Sequence, residues 1–253
     1  MTTTLDLAAH LEGLRAATVA MVRYADRAGL RAPVPTTPDW TLRRLVAHQG
    51  MVHRWAAAVV TGSEQTPDRW EREGHESTDP LEWLRDGAIE VVTAISAAPE
   101  DLDVLVFLAD APPPRPFWAR RQCHETTIHA VDALAASLGR YPVAADAPWI
   151  GEELALDGID ELLTGFLPRP VSRLRSDEGR RIAVRPDEGE GGWLVELTAR
   201  PPVTARFVGR VPEADVELTG TALALYLTLW NRSDEASPGG GWDDWRDSAQ
   251  VVW

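Results

Sequence analysis

The hydrophobic period of this chain changes once, near Arg169, and that single change constrains the fold more than any other feature. Before it, apolar residues recur at helical spacing. In "LDLAAHLEGLRAATVAMVRYADRAGL" Leu7, Leu11, Leu14, Val19 and Val22 fall near one face, and Gly29 closes the run. The loop "RAPVPTTPDW" ends where Asp39 or Thr41 can cap a second helix, in which Thr41, Leu45, His48, Val52, Trp55 and Val59 step by four and three. Residues 61–78 read as a polar loop containing Trp70, and "DPLEWLRDGAIEVVTAISA" as a third helix with Pro80 in its first turn. "APPPRP" should block continuation, so a fourth helix is expected from Phe117 to Leu138, ended by Gly139. A fifth, "WIGEELALDGIDELLTGFL", is closed by "PRP". Helices joined this way imply an up-and-down bundle over residues 1–169.

Beyond Arg169 the pattern shortens to β-type alternation. "RIAVRP", "GWLVELTA", "VTARFVG" and "ADVELTG" read as strands between glycine, proline and acidic turns, and "GTALALYLTLW" as a helix. "QVVW" offers a last strand, and "SDEASPGGGWDD" is the one flexible tract. Residues 178–253 are thus expected to form a small α/β domain, which makes the whole chain α+β.

Charge and composition exclude several functions. The 39 acidic residues outweigh 25 basic ones for a formal net charge of -14, which repels nucleic acid and anionic membranes. Every basic residue is arginine, so lysine Schiff bases, P-loop lysines and kinase-type lysines are ruled out. The single cysteine, Cys123, forms no internal disulfide, and "MTTTLDLAAH" has neither the basic flank nor the apolar run of a signal peptide. No run approaches the roughly 20 apolar residues of a membrane span. These features lead us to expect a cytoplasmic, soluble protein.

The densest chemistry lies in "RRQCHETTIHAVDA", residues 120–133. Residues four apart share a helix face, so Glu125 and His129 point together while Cys123 and His124 point elsewhere. Cys123 lies about 200° around the helix from Glu125 and is expected to pack. A zincin site needs histidines four apart; His124 and His129 are five apart. Glu125 and His129 give two metal ligands from one turn, and a third protein ligand is needed. His48, on the apolar stripe of the second helix, is the best placed; His53, on the adjacent stripe with Leu42, Val46 and Ala56, is less so. Two readings stay open. Spacing alone favours a hydrogen-bonded core histidine and an ordinary helix pair, whereas burial of one glutamate with two histidines favours a divalent cation that balances them. Asp132 either orients a ligand or makes a helix salt bridge.

Three segments, "TPDWTLRRLVAHQGMVHRWAAAVV", "FWARRQCHETTIHAVDA" and "EELALDGIDELL", resemble the mycothiol-dependent maleylpyruvate isomerase family, and "LTGTALALYLTLWNR" resembles that family's second domain. The resemblance implies a DinB-like metal-binding bundle in which His48, Glu125 and His129 hold a divalent metal, usually zinc. It implies mycothiol as thiol cosubstrate and a small, acidic electrophile as the other partner, converted by isomerisation or by S-transfer. Arg232 matches an arginine that reaches the site from the second domain and helps bind the acidic substrate, although Asn231 stands where the family more often has glycine. Arg121 has two possible roles, holding a carboxylate or supporting Glu125. The competing class is a non-catalytic, metal-containing binding or regulatory protein, for which eleven tryptophans leave ample aromatic surface.

Overall fold

The computed structural model describes residues 5–238, 243–249 and 251. The chain forms two compact units, one from Asp6–Val106 with Pro112–Pro142 and the other from Phe107–Ala111 with the chain from Val143 onward.

The first unit is helical: α1 (Leu7–Ala28), α2 (Leu42–Thr61), α3 (Pro67–Glu76), α4 (Pro80–Ala97) and α5 (Pro114–Leu138). Its long helices pack α1 on α5 and α2 on α4, with α2 also meeting α5. Local chemistry sets the ends. Asp6 accepts the Ala9 N–H at 2.8 Å, Asp79 accepts the Glu82 N–H at 3.0 Å, and Thr41 is the residue that caps α2. Gly139, at φ 68°, stops α5 in the left-handed conformation that glycine adopts without strain.

Two expectations change here. The stretch read as a polar loop contains α3, which has Pro67 in its first turn and rests on α2 through Gly74. α5 begins three residues early, at Pro114, because a first-turn N–H has no intrahelical partner to lose. From Phe117 to Ala135 every residue of α5 is buried, so its polar side chains must find partners inside the protein.

The second unit contains a four-stranded sheet of β1 (Arg180–Pro186), β2 (Gly191–Leu197), β3 (Val203–Val208) and β4 (Val216–Gly220), in the order β3-β2-β1-β4. β1–β2 and β2–β3 are antiparallel, while β1–β4 is parallel with Ile182 opposite Val216. Helix α6 (Glu152–Asp160) runs on into a π-helical turn at Glu161–Phe166, α7 (Ala222–Leu229) follows β4, and α8 spans Asp243–Ser248. The sequence places α6 with the bundle, but it packs on α7 within the sheet's unit, and the π turn meets β3. Asp160 accepts the Trp193 indole N–H at 2.8 Å and the Arg206 guanidinium at 2.6 and 2.8 Å, and the Trp230 indole donates to the Gly158 carbonyl at 3.1 Å. Periodicity marks α6 as a helix without naming the core that receives it.

The fold is mixed α+β. The strand expected at residues 250–253 lies, Val251 apart, outside the described residues, as do residues 239–242 of the glycine-rich tract. No helix among the described residues is long and apolar enough to cross a membrane.

Candidate metal centre

Two helices and one loop of the first unit build the site. α5 presents Glu125 and His129 on one face, and α2 presents His48 towards them. Glu125 Oε1 lies 3.3 Å from His129 Nε2 and 3.9 Å from His48 Nε2, and the three ligand atoms all lie within 4.8 Å of one another. The His48 and His129 rings meet edge to face at 5.2 Å. His48 is the most exposed of the three side chains, at 16%, so the site opens on its side.

The remaining polar atoms of Glu125 and His129 are held by neighbours. Arg121, its side chain 1% exposed, donates from Nη2 to Glu125 Oε2 at 2.7 Å, which leaves Oε1 for the histidines. Burial opposes ionisation of Glu125, but the Arg121 guanidinium and the two histidines outweigh it and hold the carboxyl well below the usual carboxylate range. His129 Nδ1 lies 2.9 Å from Asp132 Oδ2. Burial alone would lower the His129 pKa; Asp132 and Glu125 prevail and raise it to about 9. Asp132 is fully buried, and its other oxygen accepts the Thr36 hydroxyl at 2.6 Å.

Donor chemistry and spacing fit a divalent metal. Two imidazole nitrogens and one carboxylate oxygen form a three-ligand set that leaves coordination positions open, and the separations of Glu125 Oε1 from the two histidine nitrogens, 3.3 and 3.9 Å, suit ligand bonds of about 2.1 Å. A histidine whose Nδ1–H is held by a carboxylate turns a bare Nε2 towards the cation.

The other residues singled out by sequence lie in different surroundings. His53 is fully buried with its Nε2 at 2.9 Å from Thr126 Oγ1 and 2.8 Å from Gln49 Nε2, and burial, reinforced by Arg54, lowers its pKa to about 3. It is a neutral core histidine. Cys123 and His124 are buried on other faces of α5. Arg232 belongs to the second unit, in the turn after α7, where Nη1 donates to the Trp230 carbonyl at 2.8 Å. That turn has the pattern of a Schellman motif: Asn231 N–H reaches the Thr228 carbonyl at 3.0 Å and Arg232 N–H reaches Leu227 at 2.7 Å. Asn231 sits at φ 61°, and asparagine is among the few residues that tolerate the left-handed region where glycine is favoured.

Sequence reasoning missed Thr36 and Trp40. Both lie in "VPTTPDW", a stretch read as a capping loop, and Trp40 also falls in the family-like segment "TPDWTLRRLVAHQ" without a role of its own. Trp40 meets His48 edge to face at 4.9 Å and stacks on His129 at 6.2 Å, with the Arg44 guanidinium 4.8 Å from its ring. The tryptophan beside the cap was a readable signal; the reach of Thr36 to a residue 96 positions away was not.

Comparison with known proteins bears on the family and the fold. The mycothiol maleylpyruvate isomerase N-terminal domain matches residues 11–134, and the C-terminal domain of the same family matches residues 153–246. The second match begins inside α6, in keeping with where that helix packs. Among solved structures, a crystal structure of the mycothiol-dependent maleylpyruvate isomerase is 17% identical, with a TM-score of 0.60 over 93% of this chain and 94% of the other. A histidine-to-alanine mutant of the mycothiol-dependent maleylpyruvate isomerase is 16% identical, with a TM-score of 0.61 over 92% and 94%. At such identity these structures establish a shared fold. The comparison with curated proteins gives no match. The two domain matches together span most of the chain, and on that basis it belongs to the mycothiol maleylpyruvate isomerase family.

Proposed function

We propose that this chain is a cytoplasmic, divalent-metal-dependent enzyme, with zinc as the metal, that uses mycothiol to isomerise a small acidic electrophile or adds the thiol to it as a stable thioether adduct. The observation that carries the reading is the convergence of His48, Glu125 and His129 within 4.8 Å. These three residues would hold the metal, and zinc bound there supplies a Lewis-acid position that keeps a thiol deprotonated near neutral pH.

The chain's own residues prepare that position. Arg121 fixes Glu125 through Oε2, and its near-complete burial favours this supporting role over capture of a substrate carboxylate. Asp132 takes the Nδ1 side of His129. Charge is complementary as well: Glu125, Asp132 and Arg121 sum to one negative charge, so a divalent cation with neutral histidines leaves one positive charge, which suits an anionic sulfur ligand. The buried Cys123 is no competing nucleophile, so the thiol comes from outside. Arg232 is our proposed carboxylate-holding residue, on the strength of the "LWNR" resemblance and of a turn that Asn231 can form.

Two measurements on the purified full chain test this. Elemental analysis should find about one zinc per chain in the wild type and little in His48→Ala or Glu125→Gln. Incubation with mycothiol and a panel of unsaturated acids should give isomers or thioether adducts, with His48→Ala slower by more than about 100-fold, beyond the usual cost of disturbing an outer-shell partner. Equal metal in wild type and variants would sink the site. Zinc retained with no turnover across the panel, also with glutathione or cysteine as the thiol, would favour the non-catalytic binding protein.

A further inference from the structure

We propose that Thr36 is a positioning residue for the metal centre, acting through Asp132 on His129; the proposal rests on the metal-site reading above. The geometry is a three-member chain. Thr36 Oγ1 donates to Asp132 Oδ1 at 2.6 Å, and Asp132 Oδ2 lies 2.9 Å from His129 Nδ1. A carboxylate with one oxygen tied down and no exposed surface has little freedom to rotate, so it presents its second oxygen to His129 in one orientation. That fixes the imidazole with Nδ1 protonated and Nε2 turned to Glu125 and His48.

Thr36 itself is held by a closely hydrogen-bonded loop. Val34 N–H donates to the Trp40 carbonyl at 3.0 Å, Thr37 N–H to Val34 at 3.1 Å, Trp40 N–H to Thr37 at 2.8 Å, and Pro33 bridges Thr41. The same loop sets Trp40 against both histidine rings. One short segment therefore supports the site from two directions, by a hydrogen bond behind His129 and by an aromatic wall beside His48.

Thr37 provides an internal control. Its Oγ1 is buried with no hydrogen-bond partner among the described residues, so it shares the loop and the chemistry of Thr36 without the link to Asp132. Removing an unsatisfied hydroxyl should be neutral or slightly favourable.

The test is zinc affinity of the full chain by competition with a chromophoric chelator at one pH, alongside thermal unfolding of the metal-free proteins. Thr36→Val should weaken zinc binding by about 10-fold or more, as loss of an outer-shell partner does. Thr36→Ser should restore it to within about twofold, and Thr37→Val should match wild type. A second truncation, Thr36→Ala, covers the case in which valine disturbs the loop. If His48→Ala loses zinc while Thr36→Val and Thr36→Ala bind like wild type, the role of Thr36 is overturned. It is overturned equally if Thr37→Val weakens zinc as much as Thr36→Val, which would reveal loop disruption. If His48→Ala also binds like wild type, the metal site falls and Thr36 with it.

Discussion

His53 and His129 are both buried histidines of the same bundle, and their neighbours push them in opposite directions. His53 meets a hydroxyl and an amide, so burial dominates and its pKa falls to about 3. His129 is buried too, but lies between the carboxylates of Asp132 and Glu125, which raise it to about 9. In the metal-free fold His129 carries a proton at neutral pH, and stability from its carboxylate contacts is complete below the unfolded value near 6.5 and fades as pH rises through about 9. Metal needs the neutral ring, so zinc and proton compete. Apparent zinc affinity should therefore fall by about tenfold per pH unit from pH 8 to pH 6.5, with one proton released per zinc; calorimetry in buffers of different ionisation enthalpy would show it. A flat affinity over that range would mean that zinc binding releases no proton from His129, either because the ring is already neutral in the metal-free fold or because it is not a ligand. At this scale the sequence was readable where helical spacing governs: Glu125, His129 and His48 project as their positions demand. The partners that tune them were less readable, because Asp132 meets Thr36 through the tertiary fold and a burial stripe does not say which histidine meets a carboxylate.

The position of His48 depends on how α2 packs, and that packing runs through glycine. Gly50 on α2 and Gly74 on α3 leave room for the Trp83 ring of α4; a Cβ at either would collide with it. The Arg54 guanidinium lies 3.8 Å from the centre of that ring and donates to the Gly50 carbonyl at 3.0 Å and the Trp83 carbonyl at 2.9 Å, which pins the indole from the other side. Helix propensity alone would make Gly50→Ala stabilising by up to about 1 kcal/mol. Packing demands the reverse, because the new methyl meets a ring that is wedged in place, and overpacking of this kind costs about 1–3 kcal/mol. Urea denaturation of Gly50→Ala should show a net loss of stability, and a gain would mean that Trp83 swings out freely. This cluster also explains why α3 reads as loop. Only Gly74 of its ten residues is buried, so no apolar stripe exists to mark it, and its attachment is a close backbone approach that hydropathy does not register. α5 is the converse case: its caps mark the helix, but burial on all sides removes the polar face by which a surface helix declares its orientation.

For the whole molecule, the change of period near Arg169 marks where the strand-type pattern begins, whereas the compact units divide at Val143, one helix earlier. The reason is Asp160. It is 2% exposed, near the C-terminal end of α6, and its carboxylate gathers the Trp193 indole from β2 and the Arg206 guanidinium from β3, so α6 is bound to the sheet by a polar anchor that its amphipathic pattern conceals. Removing one partner of a fully buried ion pair costs about 3–5 kcal/mol. Here the Arg206 side chain is 27% exposed, so water can take over part of what Asp160 supplies, and the loss should be nearer 1–3 kcal/mol. His48, Glu125 and His129, with their supports Arg121, Asp132 and Thr36, all belong to the other unit. Asp160→Ala should therefore lower the urea midpoint while zinc stoichiometry and chelator-competition affinity under native conditions stay at wild-type values. A drop in zinc affinity to match the drop in stability would show that the metal site draws on the sheet's unit for its geometry, and the bundle could then no longer be treated as a self-sufficient metal-binding scaffold.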